Sequence, residues 1–191
     1  MNLNTGSYGD LKNANRIFEV PNGGCSVAYN SDVYRNAILL QNQDQLKIRN
    51  IVSGDETELA IEMLLKINTA GDYNVLAIGN TNFNIVAMNK YMYFGVGYYN
   101  GQDADSIWDP PPRNEWIHLV YCTTMTGQTM YVNGEFMGTR SIQSGGFFQG
   151  STLTTYLGSY GRNVDMYVAD LNIYDTTLSQ SVVTQLYDVV S

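Results

Sequence analysis

Residues 116–122, WIHLVYC, and residues 130–135, MYVNGE, decide the fold of this chain. Apolar and polar side chains alternate along these segments, which is typical of β-strands with one buried face. A tight turn at Thr126-Gly127 is predicted to join the first two strands. Asn133-Gly134 then predicts a type I′ hairpin turn into a third strand, because both central residues of that turn need positive φ. The region therefore predicts a three-stranded antiparallel meander.

Two stretches of sequence resemble the laminin-G-like, concanavalin A-like jelly-roll domains. One is the pattern W-x-H-hydrophobic followed by Y-V-N-G within residues 116–138, and the other is the closing-strand and helix-start wording within residues 156–187. The resemblance covers residues 36–187 in outline and implies an all-β, two-sheet antiparallel jelly-roll sandwich. A short C-terminal helix is predicted after an N-cap at Ser179. One helix stripe is formed by Val182, Val183, Leu186 and Tyr187.

The rest of the sequence also favours an all-β domain, since turn signals recur about every 8–15 residues. We expect the jelly roll at residues 36–191, preceded by an irregular N-terminal arm or the first strands at residues 1–35. Along residues 58–67, one face is apolar and the other, which carries Glu58 and Glu62, is predicted to be solvated. The predicted core includes Trp116, Val120, Met130, Val132, Leu171 and Ile173.

The closing strand departs from the family pattern at two places. Met166 stands where a glycine is usual, and Ala169 stands where an acidic residue is common, with Asp170 one step later. A family calcium site that depends on that acidic residue is therefore not expected here.

Composition and charge exclude several classes of function. The net charge of −8 disfavours binding to nucleic acid and to anionic lipid. No apolar run approaches the length of a membrane helix, so no membrane insertion is expected. The N-terminal residues lack the pattern of a signal peptide, so we expect a mature fragment or a protein that needs none. Cys25 and Cys122 are too few for a disulfide framework, and their pairing is left open.

The acidic residues do not form a hydrolase signature. Hydrolases of this superfamily carry a Glu-x-Asp-x-x-Glu string on one strand, which is missing here. Glu58 and Glu62 are about 13 Å apart along a strand at ~3.3 Å per residue, whereas retaining hydrolysis needs carboxyl groups about 5 Å apart. His118 has no Ser or Cys nucleophile motif beside it and is predicted to be a packed sheet residue. A non-catalytic protein is expected, with glycoside hydrolase as a distant alternative.

The loop at residues 100–114 and the strand before it are the predicted recognition element. Aromatic rings next to planar polar side chains suit a glycan site, and they equally suit a protein interface. A third reading is that the loop plugs the end of the sandwich. The candidate binding residues are Tyr91, Tyr93, Tyr99, Asn100, Trp108 and Arg113. The candidate calcium ligands are Asp103, Asp105 and Asp109, with an acidic hydrated loop as the alternative.

Two functional hypotheses follow from these features. The first is a structural or decoration component of a virus or phage particle that mediates adhesion or lattice contacts. The second is an extracellular carbohydrate-binding module, with or without calcium. The partner is expected to be a glycan or other protein chains of an assembly, at a virion surface or outside the cell, and a homo-oligomer is left open. The Asn, Gln, Thr, Gly and Tyr content favours the first hypothesis by association alone.

Substituting Trp108 separates an anchor from a plug. If Trp108 anchors a partner, Trp108→Ala is expected to weaken binding by about 2 kcal/mol or more and to leave the free energy of unfolding nearly unchanged. A plug would instead lose ~3–5 kcal/mol of stability. Denaturant unfolding and partner binding are measured on the same variant, and a large stability loss with unchanged binding contradicts the anchor.

Overall fold

The computed structural model describes residues 17–22, 25–33, 35–42, 44–52, 57–68, 73–78, 83–87, 92–96, 112–141, 153–158 and 163–191. Within those residues the chain forms thirteen strands and one helix. In chain order they are β1 (Ile17–Asn22), β2 (Ser26–Asn30), β3 (Arg35–Asn42), β4 (Gln45–Val52), β5 (Glu58–Ile67), β6 (Tyr73–Ile78), β7 (Phe83–Ala87), β8 (Met92–Val96), β9 (Trp116–Thr124), β10 (Gly127–Val132), β11 (Glu135–Ser141), β12 (Leu153–Gly158), β13 (Val164–Tyr174) and α1 (Gln180–Val190).

The strands form two antiparallel sheets, which confirms the predicted jelly-roll-like sandwich with a short C-terminal helix. One sheet has the order β1-β4-β12-β6-β7-β8 and the other has the order β11-β10-β9-β5-β13-β3-β2. Strands β1 and β2 lie within the first 35 residues. Strand β1 is at a sheet edge, where Pro21 is tolerated because its missing N–H is not needed there. No helix in the described part of the chain is long and apolar enough to span a membrane.

The core lies between the sheets and follows the predicted alternation. The inward face of β5 is almost fully buried, with each side chain at most 2% exposed: Leu59, Ile61, Met63, Leu65 and Ile67. The register of the meander is confirmed, because Met130 and Val132 are buried in the same core. Leu171 is also buried there. Trp116 and Ile173 were expected inside the core, but they are only partly buried and pack against it.

The Asn-Gly turn has the predicted geometry. Asn133 has φ 50° and Gly134 has φ 78°, as a type I′ turn requires. The turn is also tied to the neighbouring strand, since the Asn133 amide donates to the His118 carbonyl at 2.8 Å. In return, the His118 amide donates to Asn133 Oδ1 at 2.9 Å. Asn133 therefore fixes the hairpin between β10 and β11 against β9.

The outer face of the seven-stranded sheet is covered, contrary to the prediction of a solvated face. Glu62 is only 4% exposed. Val120, which was expected in the sandwich core, belongs instead to a second cluster on this outer face. The reason is the strand period of two: Leu119 and Tyr121 both point inward, so Val120 between them points outward. The same cluster contains Ala60, Cys122, Tyr131 and Val183.

A β-bulge in β13 decides which of its side chains reach the outer face. The pairing with β5 shifts by one residue between Ala169 and Asn172, and Asp170 has the left-handed φ of 47°. Before the bulge Val168 faces the core, and after it Leu171 does so. Asn172 consequently points outward beside Glu62, with which it is paired.

Gly134→Ala is expected to destabilise the protein by about 1–3 kcal/mol. The φ of 78° is strained for alanine, and an added Cβ would lie 3.0 Å from Tyr187 Cδ1 on the helix. Chemical denaturation gives the loss, and the same change in a Tyr187→Ala background isolates the backbone strain. The expected loss is smaller in that background, whereas equal losses in both would show that the helix contact contributes nothing.

Candidate functional site

The C-terminal helix α1 lies on the outer face of the seven-stranded sheet. Val183 is its fully buried residue and packs with Val120 and Cys122. Tyr187 stacks on His118 with ring centroids 6.0 Å apart and an interplanar angle of 29°. Gln180 Nε2 donates to the Gly134 carbonyl at 2.6 Å, which joins the start of the helix to the β10–β11 turn. The helix is thus held over β9 and β11.

Two details of the helix prediction need correction. Ser179 occupies the N-cap position, but its side chain makes no capping hydrogen bond and instead lies 3.0 Å from Ser181 Oγ. Val182 was placed on the buried stripe and is 39% exposed. Val183 is the single buried residue of the helix, so the helix packs on the sheet through a narrow side centred on Val183.

Glu62 is the centre of a polar network beneath this layer. Its Oε1 is 3.0 Å from His118 Nε2, and its Oε2 accepts a hydrogen bond of 3.0 Å from Asn172 Nδ2. The same Oε2 accepts a 2.5 Å hydrogen bond from the Tyr174 hydroxyl. The prediction that His118 is a packed sheet residue agrees with its 2% exposure. The network joins β5, β9 and β13 on one face.

The pKa of Glu62 reflects the number of hydrogen-bond donors around its carboxylate. Burial raises its pKa, but the hydrogen bonds from His118, Tyr174 and Asn172 together outweigh burial and hold the pKa below the ordinary value of 4.5. Burial and the Glu62 carboxylate raise the pKa of Tyr174, so its hydroxyl remains a donor at neutral pH. Both oxygens of Glu62 already accept hydrogen bonds beneath the helix. The Glu62–His118 pair therefore has a structural role, which is to hold β5, β9 and β13 together.

A cavity of about 360 Å³ opens beside this network on the same outer face. Its floor and sides come from β9, β10 and β11, and one wall comes from the segment between β13 and α1. The lining residues are Cys122, Thr124, Gly127, Gln128, Thr129, Tyr131, Thr139, Thr177 and Leu178.

The wall formed by Thr177 and Leu178 is fixed by two side chains of the sheet. Glu58 Oε2 accepts hydrogen bonds from the Thr177 amide at 3.2 Å and from the Thr177 hydroxyl at 3.0 Å. These bonds, led by the one from the amide, lower the pKa of Glu58. The Cys122 thiol accepts a hydrogen bond from the Leu178 amide at 3.3 Å. The wall is therefore set in place before any ligand arrives.

The β9–β10 turn contributes Thr124 and Gly127 to the cavity lining. Thr124 Oγ1 accepts hydrogen bonds from the amides of Gly127, at 3.0 Å, and Thr126, at 3.2 Å. By contrast, the hydroxyls of Thr129, Tyr131 and Thr139 make no hydrogen bond within the described part of the chain. Three unpaired hydroxyl groups thus share the lining of one preformed cavity.

An aromatic pair borders the cavity. Tyr131 lines it and contacts Phe136 edge to face, with ring centroids 5.9 Å apart. Phe136 is 54% exposed, so its ring leaves an apolar surface open to solvent beside Tyr131. Sequence reasoning missed these residues. Thr129 and Thr139 are directly paired across the hairpin only because the register shifts by one residue between Met130 and Tyr131, so the Asn-Gly turn by itself would not have predicted this pair.

Most of the predicted site residues lie outside the described residues. These are Tyr91, Tyr99, Asn100, Trp108 and the candidate calcium ligands Asp103, Asp105 and Asp109. Tyr93 is in β8 and Arg113 is half-buried before β9. In the described part of the chain, no group of three or more His, Cys, Asp or Glu side chains is arranged to hold a metal ion. Cys25 and Cys122 are not joined by a disulfide.

The Glu62 network predicts a pH-dependent stability. Because the pKa of Glu62 is lowered in the folded state, its stabilising contribution is present above the unfolded value near 4.5 and is lost as pH falls through the folded pKa. Glu62→Gln is expected to cost about 1.5–3 kcal/mol at neutral pH and less in acid. Urea unfolding between pH 7 and pH 3 measures this, with Glu135→Gln on the exposed hairpin as the control. A pH-independent loss for Glu62→Gln would contradict the assignment.

Comparison with known proteins agrees with this architecture. A family model described as the concanavalin A-like lectin/glucanases superfamily matches residues 40–184. No curated protein sequence matches the chain. Among solved structures, the binding domain of botulinum neurotoxin DC in complex with SialylT superposes with a TM-score of 0.79 at 14% identity, covering 100% of this chain and 50% of that one.

Two further structures show the same relationship. Botulinum neurotoxin type C, in a structure described by its interaction with two ganglioside molecules, gives a TM-score of 0.78 at 15% identity, with 100% of this chain and 50% of that chain covered. The DC binding domain in complex with rat synaptotagmin II gives 0.76 at 16% identity, with the same coverage. The chain spans about half the length of these structures. With the family model matching most of its residues, the chain belongs to the concanavalin A-like lectin/glucanases superfamily.

Proposed function

We propose that this chain is a non-catalytic recognition domain that binds carbohydrate at the cavity between β10, β11 and the Thr177–Leu178 wall. The observation that carries the proposal is the set of three unpaired hydroxyls, those of Thr129, Tyr131 and Thr139, in one preformed cavity beside an exposed aromatic ring. Membership of a superfamily that contains lectins supports it. The glycan complexes of structurally similar neurotoxin domains support it as well.

The chemistry of sugars fits both parts of this surface. A sugar ring has C–H faces that pack on aromatic side chains, and Phe136 with Tyr131 offers such a surface. It also carries hydroxyl groups that lose hydrogen bonds to water on binding and need replacements from the protein. A small number of placed polar groups in an otherwise preformed pocket is how ligand sites obtain their specificity.

The arrangement of acidic groups supports binding without hydrolysis. Hydrolysis of a glycosidic bond needs two carboxyl groups, one on either side of the bond, and the lining residues within the described part of the chain include no Asp or Glu. Glu58 accepts hydrogen bonds from Thr176 and Thr177, next to the wall. Glu62 is covered by its own network. Neither carboxylate is among the described residues that line the cavity.

The particle-associated role stays a prediction. Its support is the composition rich in Asn, Gln, Thr, Gly and Tyr, and a glycan-binding domain on a virion surface would be an adhesion element. A location outside the cell and the calcium ligands Asp103, Asp105 and Asp109 stay predictions on the same footing. A protein partner is the alternative to a glycan, because the similar DC binding domain is found with synaptotagmin II.

A glycan array with wild-type protein and two matched variants tests the proposal. Phe136→Ala is expected to weaken binding to any bound glycan about tenfold, equivalent to 1.4 kcal/mol, because it removes the ring at the cavity edge. Tyr29→Ala removes an equally exposed aromatic, 61% exposed, from β2 at the other edge of the same sheet. It is expected to leave binding unchanged.

The array is run with calcium and with EDTA, which also tests the predicted metal. Equal affinity of wild-type protein and Phe136→Ala for every bound glycan would contradict the cavity as the binding site. Absence of binding to any glycan, combined with binding to a protein partner, would contradict the carbohydrate assignment itself.

A further inference from the structure

We infer that the cavity selects an uncharged saccharide unit and rejects sialylated or otherwise anionic glycans. This inference rests on the proposed function and names its ligand class. The observation behind it is the lining, in which the residues that the structure describes include no Lys, Arg, His, Asp or Glu side chain. Hydrogen bonds to a carboxylate or sulfate are strongest when the donor is a cation, and no cation is found among the described lining residues.

The two titratable side chains in the lining remain neutral. Burial raises the pKa of the Cys122 thiol, and nearby Glu58 raises it further. Burial also raises the pKa of the Tyr131 hydroxyl. Both groups therefore keep their protons at neutral pH, and the cavity presents hydroxyl and thiol groups without charge.

The surroundings of the cavity add repulsion for an anion. Glu58 is hydrogen-bonded to Thr177, which lines the cavity, and its lowered pKa keeps it ionised at neutral pH. The whole chain carries a net charge of −8. An anionic sugar would enter a partly desolvated site near the like charge of Glu58, with no compensating cation among the described lining residues, which is unfavourable.

The polar groups that are present suit hydroxyl recognition. Each of the unpaired hydroxyls of Thr129, Tyr131 and Thr139 can donate one hydrogen bond and accept others, as the hydroxyls of a neutral sugar also do. The volume of about 360 Å³ is at the small end of ligand pockets and suits one or two sugar rings. Because the Thr177–Leu178 wall is already held by Glu58 and Cys122, little ordering is needed on binding.

Paired oligosaccharides that share one core, one neutral and one sialylated, test the inference by calorimetry. Wild-type protein is expected to bind the neutral member at least tenfold more tightly. Thr129→Val and Thr139→Val keep the side-chain shape and remove one hydroxyl each, and each is expected to weaken binding of the neutral member severalfold. Thermal unfolding of both variants shows that the fold is retained.

A charge-gain variant makes the test independent of those losses. Thr139 is exposed, so Thr139→Lys adds a cation at the cavity edge without burying it. This variant is expected to lower the ratio of the affinities for the neutral and the sialylated oligosaccharide by tenfold or more. Equal or tighter wild-type binding of the sialylated member would overturn the inference. The inference would also be overturned if Phe136→Ala weakened binding of the neutral glycan while Thr129→Val and Thr139→Val both left it unchanged. In either of these two cases the proposed function stands. Failure of every neutral and sialylated glycan to bind would overturn the proposed function together with the inference.

Discussion

The extra residue at Asp170 is the constraint on which the outer face of the seven-stranded sheet depends. With its φ of 47° it shifts the pairing of β13 with β5, so that Asn172 and Tyr174 point away from the core and toward Glu62. Without the shift, the strand period of two would direct both side chains into the apolar core. Glu62 would then lose two of its donors while remaining under the helix, and an unpartnered buried carboxylate is strongly unfavourable.

The position of the cavity follows from this arrangement. An isolated eleven-residue helix is marginal in water, so α1 owes its stability to packing on the sheet. Val183 and the Tyr187–His118 stack provide that packing on the outer sheet face that contains the Glu62 network. The chain must cross from β13 to this helix, and Glu58 and Cys122 hold the crossing at Thr177 and Leu178. The gap between the crossing and the β10–β11 hairpin is the cavity.

The sequence was sufficient for the fold because its strongest signals are local. The Asn133-Gly134 turn sets the register of β10 and β11 beside the turn, up to the shift between Met130 and Tyr131, and the apolar alternation along β5 identifies the inward face. The prediction for the outer face was wrong because alternation cannot distinguish a solvated strand face from one that is covered by a helix later in the chain. Glu62 and Val120 both illustrate this.

The only sign of the β13 bulge in the sequence was that the acidic residue stands at position 170, whereas the family pattern has it at position 169. The cavity combines residues from β9 to β11 with Thr177 and Leu178, and no local pattern brings such distant segments together. The recognition role of Trp108 and its loop stays a prediction, outside the described residues.

Backbone-amide chemical-shift mapping of the labelled protein during titration with a neutral oligosaccharide tests the central claim most directly, namely that the outer face beside α1 is the ligand-binding surface. The account predicts that the largest shifts occur at residues 127–131, at Thr139 and at Thr177 and Leu178, which line or adjoin the cavity. Largest shifts in the six-stranded sheet or in residues 100–114, with none at the cavity, would contradict it.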